Sequence, residues 1–320
     1  MEFYFAPLEG ITGYLYRNAF EQSYGGVKKY FTPFLTPHTD KSFNTREKND
    51  VLPEHNEGLY VVPQILTNCA EDCIRVARDL QKLGYEEINL NLGCPSGTVV
   101  SRGRGAGFLA EPKKLDAFLE QVVSELSDMR ISVKTRIGVK EPEEFETLLS
   151  VYNRYPLEEL IIHPRVREDY YKNKPNWEIF EKALQESKNP VCYNGDIFTL
   201  QDYQRLCEQM PELKRVMLGR GLIANPGLLL RIQGGAGSSL EEFRAFHDRV
   251  LDSYLRMRLG DRNTLFKMKE LWYYMGCMFP GAEKYRKKIK KAERMGDYRS
   301  AVTELLENCA MENEAGFVAP

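Results

Sequence analysis

The sequence predicts a (β/α)8 TIM barrel followed by a small C-terminal helical domain. Eight short apolar runs recur along the chain with amphipathic helical patterns between them, which is typical of repeated βα units and a parallel sheet. Most runs end in polar residues and glycines, as barrel strands do at their carboxyl-terminal mouth. The strand pattern stops after the glycine- and serine-rich segment at 233–239, and helical patterns follow it.

The candidate strands are Phe3–Ala6, Lys29–Thr32, Leu59–Gln64, Glu87–Asn91, Ile131–Thr135, Leu160–His163, Val191–Asn194 and Val216–Gly219. The stretches 70–83, 112–128, 142–154, 176–187 and 199–209 carry apolar residues three and four positions apart, as crossover helices need. An open doubly wound sheet would produce a similar local pattern. Because eight βα units match the length of a closed barrel, we expect a catalytic barrel over residues 1–235 and a helical domain over 240–320.

Composition and charge place the chain among soluble globular proteins. Hydrophobic residues make up 42% and charged residues 28% of its 320 residues. No basic leader and no apolar run near the ~20 residues of a membrane span are visible, so we expect a cytoplasmic protein that does not bind membranes. The seven cysteines show no zinc-type spacing, which predicts reduced thiols and no metal site. The net charge of −2 means that any contact with a polyanion must come from a local patch.

The residues that follow strands seven and eight predict a phosphate site. Asn194, Gly195 and Asp196 follow strand seven, and Gly219, Arg220 and Gly221 follow strand eight. Barrels commonly hold a phosphate with the backbone N–H groups of these two loops. Glycines that serve only tight turns would explain one such motif, but explain both together less readily.

Three further strand-end residues are candidates for chemistry. Lys134 places a cation near the barrel mouth, where it either meets an anionic partner or extends along the strand end to water. His163 is either functional or a hydrogen-bonded structural residue. Cys94 precedes a proline and the glycine-rich segment 97–107, so we expect a partly exposed, reactive thiol beside a mobile loop.

A basic segment lies in the predicted helical domain. Residues 284–299 carry eight lysines and arginines against Glu293 and Asp297, with Tyr285 among them and Trp272, Tyr273 and Tyr274 nearby in sequence. Such a face either is simply solvated or binds RNA through phosphates and stacked bases.

These motifs together resemble the tRNA-dihydrouridine synthase family, in order along nearly the whole chain. The resemblance is carried by residues 6–12 (APLEGIT), 91–95 (NLGCP), 134–136 (KTR), 163–167 (HPRVR) with Tyr171 and Trp177, 194–197 (NGDI), and 219–221 (GRG) with Asn225 and Pro226. Leu8, Gly13, Asn89 and Pro164 depart from the family's usual residues. These departures leave the subfamily, and therefore the uridine that is modified, open.

The resemblance implies an FMN enzyme that uses NADPH to reduce the C5–C6 bond of specific uridines in tRNA, with Cys94 as the proton donor. The implied flavin-binding residues are Pro7, Leu8, Glu9, Gln64, Lys134, His163, Asn194, Gly195, Asp196, Gly219 and Arg220. The implied RNA-binding residues are Asn91, Arg136, Arg165, Arg167, Lys287, Lys288 and Lys291. The resemblance also implies that the barrel over 1–235 binds FMN and that the helical domain over 240–320 binds RNA. No obligate protein partner is implied.

Two other functions fit parts of the pattern. An FMN barrel that reduces a small molecule would not need the basic helical domain. A non-catalytic RNA-binding protein would not need Cys94, Lys134 and the two phosphate-type loops.

Overall fold

The computed structural model describes residues 1–39, 43–258 and 260–317. Within these ranges the strands form one parallel sheet. Its strands are β1 (Glu2–Phe5), β2 (Lys29–Phe31), β3 (Val61–Val62), β4 (Gln64–Ile65), β5 (Glu87–Leu92), β6 (Arg130–Arg136), β7 (Leu160–His163), β8 (Val191–Asn194) and β9 (Arg215–Leu218).

The sheet closes on itself through a strand that Pro63 divides. The strand order is β3-β2-β1-β9-β8-β7-β6-β5-β4, so β3 and β4 stand at its two ends. They flank Pro63, which has no N–H to give to a ladder, and β3 pairs with β2 while β4 pairs with β5. Counted as one strand, β3 and β4 make the nine segments an eight-stranded barrel, which confirms the predicted fold class.

The helices are α1 (Tyr14–Ser23), α2 (Thr45–Val51), α3 (Ala70–Lys82), α4 (Gly97–Val100), α5 (Pro112–Glu125), α6 (Glu144–Tyr152), α7 (Trp177–Glu186), α8 (Leu200–Gln209), α9 (Arg220–Ala224), α10 (Leu228–Ile232), α11 (Leu240–Arg256), α12 (Asp261–Met275), α13 (Glu283–Lys291) and α14 (Met295–Asn308). The crossover helices α3, α5, α6, α7 and α8 lie where the apolar spacing predicts them. In α3, for example, Cys73, Val76, Ala77 and Leu80 form the buried face. None of the helices in the described ranges is long and apolar enough to span a bilayer.

The chain folds into two compact units. The first contains residues 1–9, 28–195 and 210–217, and the second contains 10–27, 196–209 and 218–320. The barrel interior of the first unit is filled by seven buried side chains, with Leu8 packed against them: Tyr4, Ala6, Phe31, Val62, Ile161, Cys192 and Met217. In the second unit, α1 packs on α11 and α13 on α14. The boundary near residues 235–240 stays a prediction, and residues 259 and 318–320 of that predicted domain lie outside the described residues.

Candidate active site

The turn that carries Cys94 is held by hydrogen bonds from both sides. The side-chain oxygen of Asn91 accepts from the N–H groups of Gly93 (3.1 Å) and Cys94 (3.0 Å). The carbonyl of Cys94 accepts from the N–H of Ala106, 3.0 Å away. Gly105 approaches so closely that a Cβ there would lie 2.8 Å from the Cys94 carbonyl oxygen. The segment predicted to be a loop beside Cys94 contains two helical turns, α4 and a 3-10 helix over Gly105–Ala110.

The surroundings of the Cys94 thiol favour its protonated form. Its side chain is partly exposed. Burial raises the pKa of the Cys94 thiol above its usual value, against a lowering by the Ser96 N–H and by Arg136 and Lys134. A thiol with a raised pKa is protonated at neutral pH and can give up a proton to a developing carbanion.

A ladder of amides lines the barrel interior below this turn. Gln64 accepts a hydrogen bond from the Asn91 side chain (2.7 Å) and donates one to Asn89 (2.8 Å), which in turn donates to Ser132 (2.9 Å). Gln64 and Asn89 are fully buried. The ladder fixes which way the Asn91 amide points, and so which of its atoms meets the Cys94 backbone. Sequence reasoning missed Ser132; its place two residues before Lys134 on β6, on the same strand face, was the available signal.

Lys134 is a cation in a desolvated position. It pairs in register with Asn91 on β5 and Ile161 on β7. Burial and, to a smaller extent, the neighbouring Arg136 lower the pKa of Lys134 to about 8. Lys134 has no ion-pair partner among the residues that the structure describes. The position favours an anionic ligand group.

Arg136 and Arg165 are buried and donate hydrogen bonds to main-chain carbonyl groups. Arg136 donates to the carbonyls of Gly93 (3.0 Å), Val166 (2.9 Å) and Tyr170 (2.8 Å), and only 1% of it is exposed. It thus connects the Cys94 turn to the loop after β7. Arg165 donates to the carbonyl of Asn173 (2.6 Å) and lies 2.9 Å from Nε2 of His163.

The loop after β7 also carries exposed groups. Tyr170 has a φ of 49°, which is uncommon for a residue with a side chain. The exposed Tyr171 ring lies 5.4 Å from the Arg136 guanidinium and 5.9 Å from the His163 ring. Arg167 is partly exposed and lies near Glu168 and the Tyr170 ring. The structure brings His163, Arg136 and Arg165 together here.

The opening motif follows β1. Pro7 and Leu8 are partly exposed, and Leu8 packs against the barrel interior. Glu9 is exposed and forms an ion pair with Arg46, a residue that sequence reasoning missed because it lies in an otherwise featureless polar stretch.

The loop after β8 has no room for side-chain bulk at Gly195. A Cβ on Gly195 would lie 2.1 Å from the Tyr193 hydroxyl oxygen, which accepts a hydrogen bond from Trp177. Asn194 donates to the carbonyl of Met217, 2.9 Å away. Because Gly195 has no side chain and the Asn194 side chain is hydrogen-bonded to Met217, neither residue covers the backbone of this turn.

In the second unit, Asp196 and Arg220 form a close ion pair. Their side chains are 2.5 Å apart, and the guanidinium of Arg220 lies over the rings of Phe198 (5.3 Å) and Phe317 (5.9 Å). Gly219 directly precedes α9. The ion pair with Asp196 and the two phenylalanine rings therefore hold the Arg220 side chain in one position beside Gly219.

Comparison with known proteins identifies the family. A family model described as dihydrouridine synthase (Dus) matches residues 4–314, nearly the whole chain. The chain belongs to the dihydrouridine synthase family. It is 27% identical to a tRNA-dihydrouridine(16) synthase of Pseudomonas putida, over 88% of this chain and 90% of the relative. It is 26% identical to a probable tRNA-dihydrouridine synthase 2 of Bacillus subtilis, over 70% of each chain.

The fold has solved counterparts as well. Morphinone reductase superposes with a TM-score of 0.51 at 14% identity, covering 77% of this chain and 88% of that one. Family membership confirms the predicted activity: the protein is an oxidoreductase that carries out the flavin-dependent reduction of uridine in tRNA to dihydrouridine.

A dihydrouridine synthase must hold tRNA, and the predicted basic segment 284–299 covers α13 and the start of α14. Lys287, Lys288 and Lys291 are exposed, and Lys288 pairs with Glu304 of α14. The ammonium groups of Lys284 and Lys288 lie 5.4 Å and 5.9 Å from the centre of the Tyr285 ring. Trp272, which lies near this segment in sequence, does not belong to the exposed surface, because it is buried and donates to the Tyr298 hydroxyl within the helical core.

Proposed function

We propose that this dihydrouridine synthase holds FMN at the carboxyl ends of its strands and uses Cys94 to protonate C5 of the target uracil. The observation that carries the proposal is the pairing of two groups on neighbouring strands: a protonated thiol after β5 and a desolvated ammonium on β6. The thiol can act as an acid, and the ammonium can stabilise negative charge on a bound group.

The residues present fit a flavin. Lys134 has no ion-pair partner among the described residues and lies in a partly exposed, desolvated position, as a counter-cation for an anionic ring system requires. Leu8 offers an apolar surface, and Gly195 leaves a backbone that a phosphate can approach. The proposed binding residues are Pro7, Leu8, Glu9, Gln64, Lys134, His163, Asn194, Gly195, Asp196, Gly219 and Arg220.

When bound there, reduced FMN would supply the hydride that C6 of the uracil receives, and NADPH is the proposed source of the electrons. Cys94 then gives the thiol proton to C5, where negative charge develops as C6 is reduced. The resulting thiolate recovers a proton from solvent. Asn91, oriented by Gln64, keeps the Cys94 turn in place through the Cys94 N–H.

The proposed RNA contacts divide into two groups. Lys287, Lys288 and Lys291 would bind phosphates at the exposed surface of α13. Arg167, which is partly exposed, would contact the RNA near the extruded nucleotide. Arg136 and Arg165 would act by holding the loops around the site, since both donate hydrogen bonds to main-chain carbonyls. Arg165 also contacts His163. We expect the enzyme to act in the cytoplasm, where its tRNA substrates are.

Replacing Cys94 by alanine tests the chemistry. The Cys94→Ala protein should retain extractable FMN and be reduced by NADPH, while dihydrouridine formation in a single turnover falls by about 10²–10⁴-fold. Cys69→Ala, at another partly exposed cysteine, is the matched control and should keep the wild-type rate. A wild-type rate in Cys94→Ala would rule out Cys94 as the acid.

Two measurements separate this function from a flavin enzyme for small molecules. NADPH oxidation by the purified protein should depend on unmodified tRNA. Mapping dihydrouridine in tRNA from cells that lack the gene should show one lost position, and position 16, the number in the name of the P. putida relative, is the first to examine.

A further inference from the structure

Helix α12 presents a face on which cations and aromatic rings alternate. Arg262, Phe266, Lys269 and Tyr273 follow one another at spacings of four, three and four residues, so they lie along one side of the helix. The opposite side is buried in the helical core by Leu265, Met268, Leu271, Trp272 and Met275. We call the first four residues the α12 stripe.

The aromatic residues of the stripe are unusually exposed. Phe266 is 64% exposed, more than any other large apolar side chain within the described ranges, and Tyr273 is 42% exposed. A single exposed apolar side chain on a protein surface is ordinary. What distinguishes Phe266 is its setting, because the cations of Arg262 and Lys269 lie one turn away along the helix on either side.

The charges around Phe266 leave the stripe positive. Lys267 lies 5.7 Å from the Phe266 ring and donates to the carbonyl of Gly10 (2.6 Å), and Glu270 lies 3.4 Å from the same ammonium. The nearby carboxylate is thus balanced by Lys267. Arg262 and Lys269 have no ion-pair partner in the part of the chain that the structure describes. Their charges are available to a polyanion.

We propose that the α12 stripe contacts the tRNA substrate, with Phe266 stacking on an unpaired base and Arg262 and Lys269 binding phosphates on either side. The proposal rests on the proposed function, which makes tRNA the substrate. Charge complementarity favours RNA over a second protein surface, because the stripe itself contains cations and no carboxylate. This contact differs in kind from that of the α13 lysines, since stacking needs an exposed base and is largely independent of salt.

The proposal is tested by measuring the equilibrium Kd between full-length, FMN-loaded protein and an unmodified tRNA transcript. Phe266→Ala should weaken the Kd about tenfold, within the roughly 5- to 100-fold expected for a lost base stack. Phe266→Trp should bind as well as wild type, whereas Phe266→Leu, which keeps apolar bulk without a ring, should bind like Phe266→Ala. Leu240→Ala, at a 38% exposed apolar residue on α11, is the matched control and should not change the Kd.

The salt dependence separates stacking from charge. Phe266→Ala should leave the slope of log Kd against log salt unchanged, while Arg262→Gln with Lys269→Gln should reduce it. Equal tRNA affinity in wild type and Phe266→Ala would overturn the stripe proposal. So would altered self-association of Phe266→Ala in sedimentation without a change in tRNA affinity, which would assign the face to a second copy of the chain. If wild type itself failed to bind tRNA, the proposed function would fail along with the stripe.

Discussion

At the scale of single residues, the barrel contains two desolvated lysines with opposite surroundings. Lys29 contacts Glu87 and Glu159; burial would lower its pKa, but these carboxylates raise it above the usual value. Burial and the neighbouring Arg136 lower the pKa of Lys134 to about 8, and no carboxylate among the described residues forms an ion pair with it. Lys29 therefore stabilises the fold, whereas the charge of Lys134 costs free energy that a bound anion can recover.

We predict that Lys134→Met stabilises the flavin-free protein at pH 7. The pKa of Lys134 is lower in the folded than in the unfolded state, so its unfavourable contribution is fully present below pH 8 and disappears as the pH rises toward 10.5. The gain in unfolding free energy should be at most about 3 kcal/mol at pH 7, from about 1.4 kcal/mol per pKa unit, and should shrink at pH 10.

Urea denaturation of flavin-free wild type and Lys134→Met at both pH values measures this difference. Lys29→Met is the contrasting control and should destabilise the protein, because it leaves two buried carboxylates without their cation. A Lys134→Met protein less stable than wild type at pH 7 would show that an anionic partner already neutralises this lysine.

At the scale of elements, the Cys94 turn depends on the segment that packs on it. Gly105 has a φ of +54° and no room for a Cβ beside the Cys94 carbonyl and the Val99 side chain. Gly97, at the start of α4 in the same segment, has no atom within 4 Å of a built Cβ. The structure therefore requires glycine at position 105, whereas it has room for a methyl group at position 97.

We predict that Gly105→Ala lowers dihydrouridine formation at least tenfold while FMN binding is retained. The added methyl group must displace the Cys94 turn, and left-handed backbone costs a residue with a side chain about 1 kcal/mol besides. Single-turnover rates and the flavin absorbance spectrum report the two effects separately. Gly97→Ala should be close to wild type in both; an equal loss in the two variants would argue against a specific role for the Gly105 contact.

The basic helix α13 supplies a second prediction at this scale. Reversing Lys287, Lys288 and Lys291 to glutamate should weaken tRNA binding and reduce the salt slope by about 1 to 3, from roughly 0.7–0.9 per phosphate contact. The matched control reverses Lys113, Lys114 and Lys182, exposed lysines of α5 and α7. An unchanged salt slope in the α13 variant would move the RNA-binding surface elsewhere.

At the scale of the whole molecule, residues distant in sequence share one core. Helix α1, from the start of the chain, packs on α11 through Phe246, whose ring centre lies 5.6 Å from that of Tyr16 and 6.4 Å from that of Phe20. All three rings are fully buried. The second unit is built from two segments that lie between those of the first in sequence and one that follows them.

We predict that Phe246→Ala lowers the unfolding free energy by about 3–5 kcal/mol, the usual cost of removing a buried phenylalanine. Thermal and urea denaturation measure the loss. Phe266→Ala, which removes the same atoms from an exposed position, should change stability by less than about 0.5 kcal/mol. A small effect at Phe246 would mean that α1 does not depend on α11.

The sequence by itself determined the class of fold and the family. Short apolar runs and helical spacing predict the strands and crossover helices because burial leaves a local pattern. The strand-end motifs carry the resemblance because catalytic groups follow strands in a barrel. Cys94 and Lys134 were recognisable for the same reason.

Only the tertiary structure decided how individual side chains are used. Arg136, an RNA contact according to the family resemblance, donates its hydrogen bonds to carbonyls of two loops. Trp272, near the basic segment in sequence, lies in the helical core. The exposure of Phe266 and the contact of α1 with α11 were equally invisible in the sequence. Each depends on residues far apart in the chain, and hydrophobic periodicity records that a side chain is buried without recording what it is buried against.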